Sequence, residues 1–401
     1  MRDYTANQRK IVEVARKIWP GELAFAQNIY AQRLAQIQEA IQARGLGGAL
    51  LLDPENMFWL TGYQTIGYFT FQAMYVPLSG KPVVVTRVVN RDMALALPTI
   101  DDAVPVFDTE DHVEVLVAFL QAEMAQSRIG IETTSRYLNV HDHARLSESL
   151  GEKLIPFAGV LDRYRMIKSS DELDRMRAAA RAVETGMANA LNTIAVGKTD
   201  NDLAAAFYQG SIAAGSEYIG HPPMVVTGPR SELCFALWKR NTIELGDVVL
   251  LEGAGCVDRY HAMMSRSAVV GKATDTQKAT ATALIEVLET AVDTIRPGIT
   301  SGEVDAACRG NVERRGLGQF YKSRTAYGIG IGFPPNWAEG HIYSIRPDDP
   351  LVLEPNMTFH VIPTIFREGF GMAISDSVRV TETGCELLTK YPRDLIEVDN
   401  D

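Results

Sequence analysis

The stretch Gly246-Asp247-Val248-Val249-Leu250-Leu251-Glu252-Gly253-Ala254-Gly255-Cys256-Val257-Asp258-Arg259-Tyr260-His261-Ala262-Met263-Met264-Ser265-Arg266-Ser267 decides how the rest of the chain is read. A Gly-Asp turn opens it, and Val248 to Leu251 form the continuous apolar run of a buried strand. Glu252 stands where that run ends. A carboxylate leaving a buried strand must be paired, hydrogen-bonded or functional, because an uncompensated buried charge costs several kcal/mol. A glutamate capping a turn before Gly253 is the plain alternative.

Working outward, the chain of 401 residues exceeds one typical core, so two domains are expected, and a hydrophobic content of 46% suffices for both. The net charge of −11 argues against nucleic acid or an anionic membrane as partner. Cys234, Cys256, Cys308 and Cys385 lie far apart without a Cys-x-x-Cys pair, so neither a zinc knuckle nor a disulfide scaffold is indicated. The first ten residues have no secretory apolar core, and no run of about 18 apolar residues occurs. A cytoplasmic protein is the expectation.

Residues 24 to 45 carry helical spacing at Ile29, Leu34, Ile37 and Ile41, and Gly45-Leu-Gly-Gly then opens the run Ala49-Leu-Leu-Leu52. Strand candidates at Tyr75-Val76, Pro82 to Val85 and Ile129 to Ile131 alternate with helical stretches at 112–124 and 140–150, which favours an α/β domain over 1–161. From Asp162 a second domain is expected to run to 401. Ser169 or Ser170 followed by Asp171 and Glu172 reads as a helix N-cap with an acidic first turn. Helices at 170–195, 201–214 and 276–295 are expected to cover a curved antiparallel sheet.

The Gly246-Asp247, Glu252, Arg259-Tyr260 and Ser265-Arg266-Ser267 pattern resembles the pita-bread family, which includes creatinase, prolidase, aminopeptidase P and methionine aminopeptidase. The resemblance implies a creatinase-like α/β N-terminal domain and an α+β C-terminal pita-bread domain. In the family's metallopeptidases, two aspartates, a histidine and two glutamates hold two divalent cations. Residue by residue, those positions fall on Glu252, Met263, Tyr327, Ile362 and Ser375. Met, Tyr, Ile and Ser do not replace oxygen or imidazole donors for hard cations at ordinary pH, so no metal or other cofactor is expected. A different set, His261, His341 and His360, stays open.

Asn56-Met57-Phe58-Trp59-Leu60-Thr61-Gly62-Tyr63, the run from Glu252 to His261, Gly330-Ile331-Gly332-Phe333-Pro334-Pro335-Asn336-Trp337-Ala338-Glu339 and Met357-Thr358-Phe359-His360 are similar to the family's metal-independent ectoine hydrolase branch. That resemblance implies a homodimeric hydrolase of a non-peptide carbon–nitrogen bond in a small zwitterionic compound. One departure stands out: the family histidine before the Gly-Asp turn aligns with Phe235.

Glu252 is the candidate nucleophile or water-activating base. His261 and His360 are candidate proton carriers. Glu339, His341 and Asp376 are candidate substrate-orienting groups, with Tyr327 and Trp337 as walls that stack on a delocalised cation. Tyr68 and Phe69, in an aromatic loop of the first domain, are candidates for a lid over the site of a second subunit. Each has a structural alternative: core packing for the aromatics, a satisfied buried imidazole for each histidine, a strand cap for Asp376. Two other functions remain, a metal-dependent Xaa-Pro dipeptidase with a rearranged site and a non-catalytic zwitterion-binding protein.

Overall fold

The computed structural model describes residues 22–124 and 127–399 and divides into two units, 1–164 and 165–401. In the first unit, Gly48–Leu51 (β1), Gln72–Pro77 (β2), Val83–Arg87 (β3), Asp102–Val106 (β4), Ile129–Ile131 (β5) and Leu154–Pro156 (β6) form one sheet in the order β4-β3-β2-β1-β5-β6. β1 pairs antiparallel with β2 and parallel with β5, so the sheet is mixed. Helices Gln27–Ala43 (α1), Pro54–Thr61 (α2), Arg91–Ala96 (α3), His112–Met124 (α4) and Val140–Leu150 (α5) complete an α/β unit. Glu132, just beyond β5, accepts hydrogen bonds from the Leu52 and Asp53 amides at 2.6 and 3.0 Å and from Asn56 Nδ2 at 2.7 Å, which fixes the start of α2. The short strands β4 and β6 are additional to the sequence expectation.

A short helix, Asp162–Met166 (α6), spans the division. The second unit repeats one succession, two helices and then strands. Ser170–Asn192 (α7) and Asp200–Ala213 (α8) precede Met224–Thr227 (β7), Val248–Val257 (β8) and Tyr260–Val270 (β9). Asp275–Thr294 (α9) and Ser301–Arg314 (α10) precede Ala326–Gly328 (β10), Ser344–Ile345 (β11), Thr358–Val361 (β12), Thr364–Arg367 (β13), Phe370–Ala373 (β14), Asp376–Val380 (β15) and Cys385–Leu387 (β16). All four helices begin with a reciprocal capping box: Ser169 with Glu172, Thr199 with Asp202, Thr274 with Gln277 and Thr300 with Glu303. Each box satisfies two amides that the first turn would leave without partners, and a single cap is worth about 1 kcal/mol.

β11-β10-β12-β15-β16 form an antiparallel sheet, and β17 (Ile396–Val398) joins β9-β8-β7 in a second one. β17 runs parallel to β9, so this layer is not wholly antiparallel as expected. The two layers meet where Ser265 bridges Ser375 and Tyr260 bridges Ile331.

The strand period of two sorts the residues of β8. Gly253 and Gly255 face the helices: a Cβ on Gly253 would lie 2.2 Å from Phe207 Cζ, and one on Gly255 2.1 Å from the Ala179 carbonyl oxygen. Glu252 and Ala254 therefore face the other way. The Gly-x-Gly spacing lets α7 and α8 close on the hairpin while holding Glu252 at the opposite face. Gly255→Ala, which must push α7 off β8, is expected to lower unfolding free energy by about 1–3 kcal/mol in urea titrations followed by circular dichroism.

Candidate functional site

Hairpin β8–β9 sets Glu252 opposite Ser265 and beside Met224 of β7. β10 and β12 set Tyr327 opposite His360. Between these strands and the loops before them lies a cavity of ≈ 550 Å³ whose walls include Glu252, Tyr327, Trp337, Phe235, His221, Ile362 and Arg324. That volume suits a small-molecule ligand, and a mostly apolar wall with few polar groups is the usual build of such sites.

Glu252 is 6% exposed, and burial pushes its carboxyl up to about 8, with a hydrogen bond from the Tyr327 hydroxyl offsetting part of that rise. At neutral pH the empty site therefore holds Glu252 largely as the neutral acid. A cation placed against it would favour the ionised form.

Tyr327 Oη lies 2.7 Å from His360 Nδ1 and accepts from Trp337 Nε1–H at 3.2 Å. His360 Nε2 is 2.6 Å from Ser375 Oγ, which accepts from Ser265 Oγ at 2.7 Å. Burial, with the Arg266 charge adding to it, pushes the His360 imidazole down to about 3, so the ring is neutral. Behind the serines Arg266 donates from Nη1 to the Ser265 and Ser375 carbonyls, both at 2.7 Å, and from Nη2 to Asp376 at 3.0 Å.

The structure brings Glu252, Tyr327, Trp337 and His360 together, His360 one step behind the cavity wall. It does not bring His261, Glu339, His341 or Asp376 into that wall. His261 Nδ1–H donates to the Arg259 carbonyl at 2.9 Å and Nε2 accepts from the Gly220 amide at 3.0 Å. Burial and the nearby Arg259 charge push this imidazole down to about 3, so it holds strands rather than carrying protons. Glu339 receives Arg165 Nη2 at 2.7 Å and Lys168 Nζ at 2.8 Å, with all three side chains buried, and these cations hold its carboxyl below the usual range against the cost of burial. Asp376 is closed off by Arg266, Arg393 and Thr389. His341 lies in an exposed turn. In the first unit, Tyr68 is buried edge-on against Tyr137 at 5.5 Å, while Phe69 is 75% exposed.

Sequence reasoning missed His221, whose ring lies 4.7 Å from that of Trp337, and Arg324, whose guanidinium carbon sits 5.3 Å from the Tyr327 ring centroid. His221 follows a glycine packed so closely that a Cβ would meet the Asn336 carbonyl oxygen at 2.2 Å, a constraint with no local sequence signal. Arg324 bonds the Gly340 carbonyl and Ser344 Oγ and has no acidic partner among the described residues. Phe235, at the aligned histidine position, takes a left-handed backbone (φ 63°) and lines the cavity 71% exposed. A bulky residue in that region is strained, which marks a constrained position.

A creatinase-type first unit, the duplicated helix pairs around a strand hairpin, and an enclosed carboxylate define a class, the two-domain hydrolases with a pita-bread catalytic unit. The metallopeptidase family M24 model matches residues 174–382 and the creatinase/prolidase N-terminal domain model residues 33–167, and the chain belongs to this family. Similar proteins include an uncharacterized hydrolase/peptidase of Sinorhizobium fredii, 30% identical over 392 residues that span 94% of this chain and 99% of that protein. Ectoine hydrolase of Halomonas elongata is 28% identical over 393 residues, 93% and 98% of the two chains. A probable dipeptidase of Mycobacterium tuberculosis is 26% identical over 380 residues, 94% and 99%. Among solved structures, prolidase from Thermococcus sibiricus superposes with a TM-score of 0.83 over 92% of this chain and 99% of that one, at 23% identity.

The family name implies metal, and the residues at the five aligned ligand positions do not fit one. Glu252 alone keeps a ligand-type side chain, Met263 and Ile362 are apolar, and the Tyr327 and Ser375 oxygens are neutral and engaged with His360. Burial pushes the Tyr327 phenol well above its ordinary value, so it does not supply an anionic oxygen. Among the described residues, no three His, Cys, Asp or Glu side chains are grouped to hold an ion.

Glu339→Gln separates the two readings of that acid. It leaves Lys168 and Arg165 buried without their counter-charge, a loss of about 3–5 kcal/mol by urea unfolding, while ligand binding to the remaining folded protein is unchanged in calorimetry.

Proposed function

We propose that this chain is a metal-independent hydrolase of a non-peptide carbon–nitrogen bond in a small zwitterionic compound, ectoine or a close relative. The observation that carries the reading is Glu252, a buried acid held neutral in the wall of the cavity, with apolar or neutral side chains at the other four aligned ligand positions. The similarity to ectoine hydrolase over nearly the whole chain supports the substrate class.

A cyclic amidinium suits these walls. Its delocalised cation stacks between aromatic faces, and its approach converts Glu252 to the carboxylate, so the reactive group is ionised when substrate is present. Arg324 and Lys322 at the cavity wall provide positive charge for the substrate carboxylate. Glu252 then attacks the amidine carbon or takes a proton from the water that does so. The dipeptidase reading is favoured by relatives with that name, and it lacks the donor set two cations require.

Parent protein incubated with ectoine, hydroxyectoine and creatine is expected to yield a product one water heavier for at least one of them, with no loss of rate in excess chelator. Glu252→Gln abolishes turnover, and an adduct on the parent alone assigns direct attack. Because the free enzyme reacts through ionised Glu252, kcat/KM should rise with pH and level off above about 8, falling about tenfold per unit below it. Chelator-sensitive cleavage of Xaa-Pro dipeptides with about two metal equivalents per chain would favour the dipeptidase instead.

A further inference from the structure

We propose that Tyr327 is the general acid of this site, its hydroxyl proton aimed at the reacting centre by a one-way chain of hydrogen bonds that begins at Ser265. The inference rests on the hydrolase reading above and names the group that protonates the departing nitrogen.

The direction of the chain follows from counting protons. Ser265 Oγ donates to Ser375 Oγ. The single proton of Ser375 is then directed to its remaining partner, His360 Nε2, 2.6 Å away. A neutral imidazole that accepts at Nε2 carries its proton on Nδ1, so His360 donates to Tyr327 Oη across 2.7 Å. Trp337 Nε1–H can only donate, and it too points at Oη, at 3.2 Å. With two donors already on the phenol oxygen, the phenol proton is left to point into the cavity whose wall Tyr327 shares with Glu252. Each tautomer and hydroxyl orientation is assigned by this network.

The arrangement does what C–N cleavage requires. When ionised Glu252 takes a proton from water, the hydroxide oxygen bonds to the amidinium carbon and the C=N π pair moves onto nitrogen. Collapse of that adduct breaks the C–N bond and leaves its electron pair on the departing nitrogen, which takes the Tyr327 proton. The His360 and Trp337 N–H groups stabilise the phenolate oxygen so formed. Glu252 returns its proton to Tyr327, and the hydroxyl proton of the adduct ends on the product amine as the amide carbonyl forms. If Glu252 attacks carbon directly, the water that later frees it restores the Tyr327 proton. Ser375 and His360 are positioning residues in either case, since they act through the phenol.

Two measurements test this. Nitrogen-15 NMR of histidine-labelled parent protein, with the His360 signal assigned by its loss in His360→Asn, is expected to show the Nδ1–H tautomer, and Ser375→Ala to shift that signal. The Nε2–H tautomer in the parent overturns the proposal. For whichever of ectoine, hydroxyectoine or creatine the parent hydrolyses, Tyr327→Phe is expected to lower kcat by about 10²–10⁴-fold with KM within a few-fold. An unchanged kcat in Tyr327→Phe, with the parent active, overturns the acid role alone. A parent inactive on all three overturns the hydrolase reading and the acid role with it.

Discussion

The guanidinium of Arg266 is the tie on which the catalytic unit depends. Its five N–H groups all find oxygen: Nε the Pro392 carbonyl at 2.6 Å, Nη1 the Ser265 and Ser375 carbonyls, Nη2 Asp376 and the Tyr391 carbonyl. An arginine with no exposure in the middle of a strand is tolerable only when every donor is met and a counter-charge is present. Here those demands draw β9, β15 and the closing segment of the chain onto one point. The Ser265 to Ser375 bridge forms beside it, so the join between the two layers and the foot of the hydroxyl chain have one cause.

From that join, the polar interior divides by function. Asp376, Glu339 and His261 are spent on holding strands and segments together, each with its hydrogen-bonding capacity engaged by neighbours. Glu252 is the exception. It pairs across strands with Met224 and Ser265 and faces the Tyr327 phenol, all neutral groups, so burial dominates its acidity, while Glu339, paired with two cations, moves the opposite way. Two glutamates in one unit thus differ by what faces them rather than by depth.

Much of the fold was legible because its signals are local. The helices expected at 170–195, 201–214 and 276–295 begin within a residue of their capping boxes. The Thr300 to Glu303 box that starts α10 carries the same local signal. Glu252, Tyr327 and Trp337, conspicuous in the sequence by position, line one cavity. Glu339, Asp376 and His261 have partners that leave no local signal: Glu339 is neutralised from Arg165, 174 residues earlier, and His261 is held by Gly220, 41 residues earlier. A charged side chain looks available in one dimension until the cation that occupies it is found in three.

The hydroxyl chain also limits what can be substituted around it. Placing an acid at position 375 alone would remove the proton that fixes the imidazole and strand a carboxylate in a fully enclosed spot. The same change at 362 would set a further acid on the wall that already holds Glu232 and Glu252. An acid introduced alone at either position therefore begins by costing stability. The hydroxyls of Ser265 and Ser375 and the ring of Tyr327 thus defend the interior they fill: each is held by its neighbours in a way that a newly introduced anion would upset.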